Sequence, residues 1–476
     1  MKFWKYGRVV VALIGAIVLG LSITCCGVYT SGYMYVTGVQ FNQIAAYKID
    51  HDFGYLTPVT GQPFASSGSD PVQETILAGG RFLAVVNKGS DSVSIYSIGG
   101  AGVLFFQASY STSGSNPIAM TVNSGGNFLY VVDQNAPADV VNGVDLNAGR
   151  GDVDVYSINA TTGQLTLITN ANTFNTSGSQ LPYFPVNFKP VQVITAAATA
   201  TSATTGTTTT TGTTATTGTT TTTAASAGTF LYVLDQAYTI VPGGAAANPT
   251  VPAGCFSSPA TTLACQVPDI FLYAINSTTG QLTLTQNSAL SPGQGIGPGT
   301  LSTIYTSGKY VYIANTAITS QFPAGSILPF TVGPTGVLQT LVGGTVGLPT
   351  GAGATFPDAI LANSTTQFLY VANFGPSSNP NLSNSNIAPF TIDPTNGQLT
   401  PIPVTPGGIY PTGSGPVWIA EDSTNQYLYT ANFNDNTITA KVLDATHGQL
   451  SNIIKGTVQT TTIGQPNYIV VSGRTF

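Results

Sequence analysis

Short runs of aromatic and β-branched residues alternate along this chain with stretches of Gly, Pro, Asn, Ser and Thr. Seven of the runs are close copies of one another: YMYVTG from Tyr33, FLAVVN from Phe82, FLYVVD from Phe128, FLYVLD from Phe230, YVYIAN from Tyr310, FLYVAN from Phe368 and YLYTAN from Tyr427. Each is too short for a helix and is apolar without alternation, the pattern of a strand buried on both faces. An apolar segment opening at a proline precedes the run by 11 residues at Pro71, Pro117, Pro357 and Pro416, and Gly299 stands in the same relation to Tyr310. That constant spacing predicts a hairpin. A third strand follows, as at Ser94–Ile98, Val153–Ile158, Ile270–Ile275, Ile387–Ile392 and Thr437–Leu443. Turns such as NATTGQLTL from Asn159 and NSTTGQLTL from Asn276 then lead to a fourth, with a glycine placed where a tight turn needs positive φ. Four strands repeated seven times predict an all-β fold, a seven-bladed β-propeller of four-stranded blades occupying 27–476 as one domain.

The chain ends show how the ring closes. The segment from Pro466 to Val471 reads as a first strand with no FLYVAN run after it, whereas Tyr33 opens a run with no first strand before it. The first blade, 33–59, is therefore expected to take 466–471 as its innermost strand, closing the ring and removing an exposed edge. Between Pro190 and Phe230 the spacing grows to 40 residues. The excess, 195–227, is almost wholly Thr, Ala and Gly and reads as a disordered insertion unable to bury a core. Long segments at 134–151, 236–268, 316–325 and 374–385 follow second strands and are expected to build a rim over one mouth of the channel.

Composition narrows the function classes. Only 6% of residues are charged and the net charge is −6. With no basic stripe to neutralise phosphates, nucleic acid is excluded as a partner. Residues 1–26 read as a signal peptide, with Lys2, Lys5 and Arg8 ahead of the apolar run Val9–Ile23, too short for a comfortable membrane span. The run ends in Ile23-Thr24-Cys25-Cys26-Gly27, which resembles a bacterial lipobox with Cys26 as the lipidated residue. A simply cleaved signal and an uncleaved anchor remain alternatives. Cys255 and Cys265, in an exported chain and without a neighbouring histidine, are expected to form a disulfide rather than a metal site. A monomer, attached to the membrane only through an N-terminal lipid, is expected in the cell envelope.

The FLYVAN runs and TTGQLT turns resemble the seven-bladed propellers of the lactonase family, which includes 6-phosphogluconolactonase-like proteins and YVTN-repeat surface proteins. The resemblance covers nearly all of 33–476 and implies that any chemistry sits at the channel mouth, placed in catalytic members by His, Glu and Arg side chains. This sequence departs from that pattern. Its two histidines, His51 and His447, fall in turns between third and fourth strands, at the outer rim. A carboxylate base would have to replace them, with Glu74 and Asp358 as the candidates and Glu421 deeper along its strand. Each is weighed against a purely structural hydrogen-bonding role.

Gln73, Gln192, Trp418 and Tyr468 occupy the second position after the proline of their first strands and suit a neutral polar ligand or a sugar ring, with packing between blades as the alternative. Lys88 and Arg150 lie on the loop side, where they would hold an anion or simply be solvated. The polar residue ending the repeated run (Asn87, Asp133, Asp235, Asn315, Asn373, Asn432) reads as a turn former rather than a metal ligand, and neither a metal nor a cofactor is expected. Two functions follow. The first is an exported lactonase-like propeller acting as a cell-envelope binding or interaction scaffold for an unknown protein, glycan or small molecule. The second is a lactone hydrolase of the 6-phosphogluconolactonase-like type with a carboxylate base.

Overall fold

The computed structural model describes residues 29–170, 174–175, 177–198, 228–235, 239–240, 255–257, 263–265, 269–289, 301–349, 356–375, 385–404 and 409–473. The expected leader with Cys26, and residues 199–227 of the Thr-rich insertion, lie outside them.

Seven antiparallel sheets follow one another in a ring. In blade 1 the order from outside to inside is Leu56–Pro58, Gln43–Asp50, Thr30–Gly38, Pro466–Ser472. The closing strand pairs over Tyr33↔Ser472 to Gly38↔Pro466, as the split repeat predicts. Blades 2 to 7 begin with first strands Pro71–Leu77, Ser115–Val122, Pro190–Ala197, Leu301–Ser307, Pro357–Ala362 and Pro416–Glu421. The second strands are the FLYVAN runs, and those at Phe82–Asn87, Tyr310–Asn315, Phe368–Asn373 and Tyr427–Asn432 are buried at every residue, since each has a neighbouring blade on both faces.

Two expectations shift. In blade 5 the register sets Leu301, not Gly299, opposite Asn315, in the place that Pro357 holds opposite Asn373. Its hairpin turns on Gly308 and Lys309 alone, so it is two residues shorter than in blades 2, 3, 6 and 7 and counting back 11 residues overshoots. In blade 4 Thr195–Ala197 belong to the first strand, paired with Leu231–Thr229, so the insertion starts later than composition suggests. Thr and Ala fit a strand wherever a partner exists, and composition alone could not locate the boundary.

The blades are locked by one recurrent contact. Each turn glycine between third and fourth strands lies on the first aromatic residue of the preceding blade's second strand: Gly102 on Tyr33, Gly163 on Phe82, Gly280 on Phe128, Gly336 on Phe230, Gly397 on Tyr310, Gly448 on Phe368 and Gly54 on Tyr427. A Cβ at Gly397 would sit 2.4 Å from Tyr310 Cδ1, so the glycine is required by space as well as by its φ of +75°. The tyrosine two positions further along adds a hydrogen bond to the same turn. Tyr312 donates to the Gly397 carbonyl at 3.0 Å, Tyr370 to Gly448 at 3.1 Å, Tyr429 to Gly54 at 2.9 Å and Tyr35 to Gly102 at 3.1 Å. Two sequence motifs far apart in the repeat are thus the two halves of one interface.

The rim segments carry small elements of their own. Residues 134–151 contain the hairpin Val140–Val141 with Val144–Asp145. In 236–268, the strands Cys255–Ser257 and Leu263–Cys265 pair so that Cys255 and Cys265 are directly opposite in the ladder.

Candidate functional site

The position after the first-strand proline, or after Leu301 in blade 5, is only partly covered in all seven blades, whereas the proline or Leu301 itself is buried. This ring, Val72, Ile118, Val191, Ser302, Asp358, Val417 and Asn467, lines the channel just inside the rim. Two of its polar members are engaged with the next blade: Ser302 Oγ donates to the Pro357 carbonyl at 2.6 Å and Asn467 Nδ2 to the Val72 carbonyl at 2.8 Å. Asp358 is the one charged residue of the ring. Half-buried in an apolar surround, its carboxyl is pushed up to about 7 by desolvation. At neutral pH it therefore exists in both forms, able to accept a hydrogen bond from a hydroxyl group or a proton from water.

One position deeper, blades 7, 1 and 2 build a continuous polar-aromatic wall. Trp418 and Tyr468 stack with ring centroids 3.8 Å apart and planes 26° apart. Gln73 Nε2 donates to the Tyr468 hydroxyl at 2.9 Å and to the Met120 carbonyl at 3.1 Å, while Gln73 Oε1 accepts from the Met120 amide at 2.5 Å. Gln73 is thereby spent on joining blades 1, 2 and 3. Burial holds the Tyr468 hydroxyl far above the usual tyrosine range, with nearby Glu74 adding to the effect, so it stays protonated. Tyr305 of blade 5 faces the same part of the channel, donates to the Ala362 carbonyl at 3.3 Å and is pushed up to about 12, chiefly by burial. Tyr305 stands four positions after Leu301, whereas the sequence reading singled out the second position of each first strand, which in blade 5 is Thr303.

The sequence profile described as "Lactonase, 7-bladed beta-propeller" matches residues 28–178 and 346–468, more than half of the chain. The chain belongs to the lactonase family. No curated protein matches it in sequence. Among solved structures it is similar to a candidate 6-phosphogluconolactonase of Bacteroides fragilis, with 18% identity over 93% of this chain and 98% of that one and a TM-score of 0.55. It is also similar to a candidate 6-phosphogluconolactonase of Bacteroides uniformis, with 15% identity, 93% and 100% coverage and a TM-score of 0.57. The periplasmic gluconolactonase of Pseudomonas aeruginosa aligns with 16% identity, 92% and 98% coverage and a TM-score of 0.54. At these identities the likeness establishes the fold.

Within this lactonase-family propeller the remaining sequence candidates separate. Glu74 is 1% exposed. Neither of its oxygens has a hydrogen-bond partner, the Val470 amide being near enough only to soften the effect, and burial raises the carboxyl well above its ordinary range. It is a buried acid of the core, which its proximity to Pro71 in sequence could not reveal. Glu421 lies at the far end of the channel, its Oε2 accepting from the Ser364 amide at 2.7 Å, and burial pushes it up to about 7. Gln192 turns back on its own strand, Oε1 accepting from the Val193 amide at 3.1 Å. Lys88 follows a second strand and Arg150 opens a third, so neither joins the first-strand ring. His51 and His447 occupy outer turns beside Asp52 and Asp444, at 3.0 and 2.8 Å.

Two further features stand apart from the channel. A cavity of about 500 Å³ lies over the outer strands of blade 7, where buried Lys441 donates to Asn452 at 2.7 Å. In blade 3, Asp133 meets Asp152 and Asp154 in a buried cluster that its turn-former reading did not anticipate.

Proposed function

We propose that this lactonase-family propeller binds a neutral, hydroxyl-rich ring of the sugar or sugar-lactone class at the rim-side mouth of its channel, as a cell-envelope protein exported by its N-terminal leader. The observation that carries this is Asp358, a half-buried carboxyl and the one charge in a ring of otherwise neutral side chains, on the first strand next to that of Trp418, whose ring stacks on Tyr468. Aromatic faces and a carboxylate are the usual means of holding a sugar ring and its hydroxyls. The first strands contain no Lys, Arg or His in any blade, which argues against a phosphorylated ligand, since a phosphate dianion needs cationic or clustered donor groups.

Lactone hydrolysis is the second reading, favoured by the position of the Asp358 pKa near 7, where a general base works best. One pair of experiments separates the two. Calorimetric titration with a panel of neutral sugars and aldonolactones should show binding that Asp358→Asn weakens about tenfold or more, the scale of a lost charge-assisted hydrogen bond. A pH-stat assay on the same lactones should show no acid release if the protein only binds. Acid release abolished by Asp358→Asn would establish the hydrolase, and absence of binding across the panel would refute the ligand class.

A further inference from the structure

Three aspartates converge inside blade 3. Asp133 is the last residue of the second strand paired with the third, Asp152 lies directly opposite it, and Asp154 follows two residues later on the same face. All three have 0% exposure, and their carboxylate oxygens lie within 4.8 Å of one another. Asp133 Oδ2 accepts from the Gly114 amide at 3.3 Å and Asp154 Oδ2 from the Ser113 amide at 2.6 Å and the Tyr156 hydroxyl at 3.2 Å. Asp133 Oδ1, Asp154 Oδ1 and both oxygens of Asp152 have no hydrogen-bond partner. No described Lys, Arg or His forms a salt bridge with the three. Asp152 is thus a fully buried carboxyl with neither oxygen satisfied, facing two others, an arrangement that costs several kcal/mol unless a positive charge compensates it.

The repeat provides its own control. The same three positions of blade 7 hold Asn432, Thr437 and Thr439, where Asn432 Nδ2 donates to both hydroxyls at 2.9 Å. In blade 2 they hold Asn87, Ser92 and Ser94, and Asn87 Nδ2 donates to Ser94 at 2.9 Å. Blade 3 has replaced a donor and its acceptors by acceptors alone. Gly114 closes the group from the blade 2 side, so tightly that a Cβ there would come within 2.3 Å of Asp152 Oδ1.

We propose that Asp133, Asp152 and Asp154 bind a hard divalent cation, Ca²⁺ foremost, as a structural site in blade 3. An all-oxygen donor set selects Ca²⁺, Mg²⁺ or Mn²⁺ over softer metals. Ca²⁺ fits the spacing best, because its oxygen ligands at about 2.3–2.6 Å reach across a span of roughly 5 Å, whereas Mg²⁺ at about 2.0–2.1 Å demands a tighter cage. The pairing of the second and third strands ends at Asp133 and Asp152, and the rim segment between them departs within two residues, the strands themselves running to Asn135 and from Arg150. The cation therefore clamps both feet of a rim loop and ties them to Ser113 and Gly114.

The test uses the exported chain, dialysed against EDTA and titrated with CaCl₂ in a calorimeter, with thermal unfolding followed in parallel. We expect one Ca²⁺ per chain, a higher melting temperature with Ca²⁺ than with EDTA, weaker binding of MgCl₂, and affinity reduced at least about tenfold by Asp152→Asn. A triple variant, Asp133→Asn with Asp152→Thr and Asp154→Thr, copies blade 7 and should fold with a melting temperature indifferent to Ca²⁺ and EDTA. Equal melting temperatures of the unaltered chain in Ca²⁺ and EDTA would overturn the proposal. So would Ca²⁺ binding that survives the triple substitution.

Discussion

Asp358 and Glu421 show how the same chemical group acquires different consequences from its place on a first strand. Both are acids raised to about 7 by burial, Asp358 at the mouth and Glu421 at the opposite end. For Glu421 the folded value lies above that of the unfolded chain, about 4.3, so the native state binds the extra proton between the two values. The stability this acid contributes is complete below about pH 4 and declines as pH rises towards about 7. Glu421→Gln should remove that part of the decline, seen as a flatter plot of melting temperature against pH; an unchanged slope would mean that Glu421 is ionised in the fold. For Asp358 the same titration governs recognition. If the ionised form accepts hydrogen bonds from the ligand, affinity should increase as pH rises through about 7, and Asp358→Asn should be both weaker and pH-independent in calorimetry. Asp358, Trp418 and Tyr468 could be singled out from the sequence because each follows a recognisable proline by a fixed count. Glu74, three positions after Pro71, is buried, and burial of that kind leaves no mark in composition.

The strand and turn motifs of the repeat were legible because they are constrained twice, once within their own blade and once by the blade beside it. The aromatic residue opening each FLYVAN run packs on a turn glycine of the following blade, and the tyrosine two positions along hydrogen-bonds to that turn. Gly397→Ala would place a Cβ 2.4 Å from Tyr310 and force a left-handed backbone on alanine, and should destabilise by about 2–4 kcal/mol in urea unfolding. Tyr370→Phe removes a single hydrogen bond, to Gly448, and should cost about 0.5–1.5 kcal/mol. If the two variants were equally stable, steric fit at the turn would not be what sets the blade spacing. What the motifs could not convey is variation inside the repeat. The short hairpin of blade 5 moved its first strand by two residues, and the three aspartates of blade 3 became a cluster only when Asp133 was set across from Asp152.

The ring as a whole depends on a strand from the far end of the sequence. Pro466–Ser472 supplies Asn467, Tyr468 and Ile469 to the channel and to the interface between blades 7 and 1, and it covers the backbone edge of Thr30–Gly38. A chain ending before Pro466 should lose cooperative thermal unfolding and self-associate through the exposed edge, observable by circular dichroism and size-exclusion chromatography. This closure was readable in the sequence because an incomplete repeat at one end matched the missing piece at the other. The ligand was not, since the mouth is lined by neutral residues that packing alone would also favour. Trp418 offers the most direct test of the account. It is one of two tryptophans in the chain, and the other, Trp4, lies in the expected leader, so in the mature protein that cleavage there would leave, tryptophan emission excited apart from tyrosine reports on Trp418 alone. Titrating the mature protein with neutral sugars and aldonolactones should change Trp418 emission saturably, and Asp358→Asn should shift the midpoint about tenfold or more to higher concentration. Calorimetric binding that leaves Trp418 emission unchanged, with the same affinity in Asp358→Asn, would place the ligand away from this mouth and contradict the proposed site.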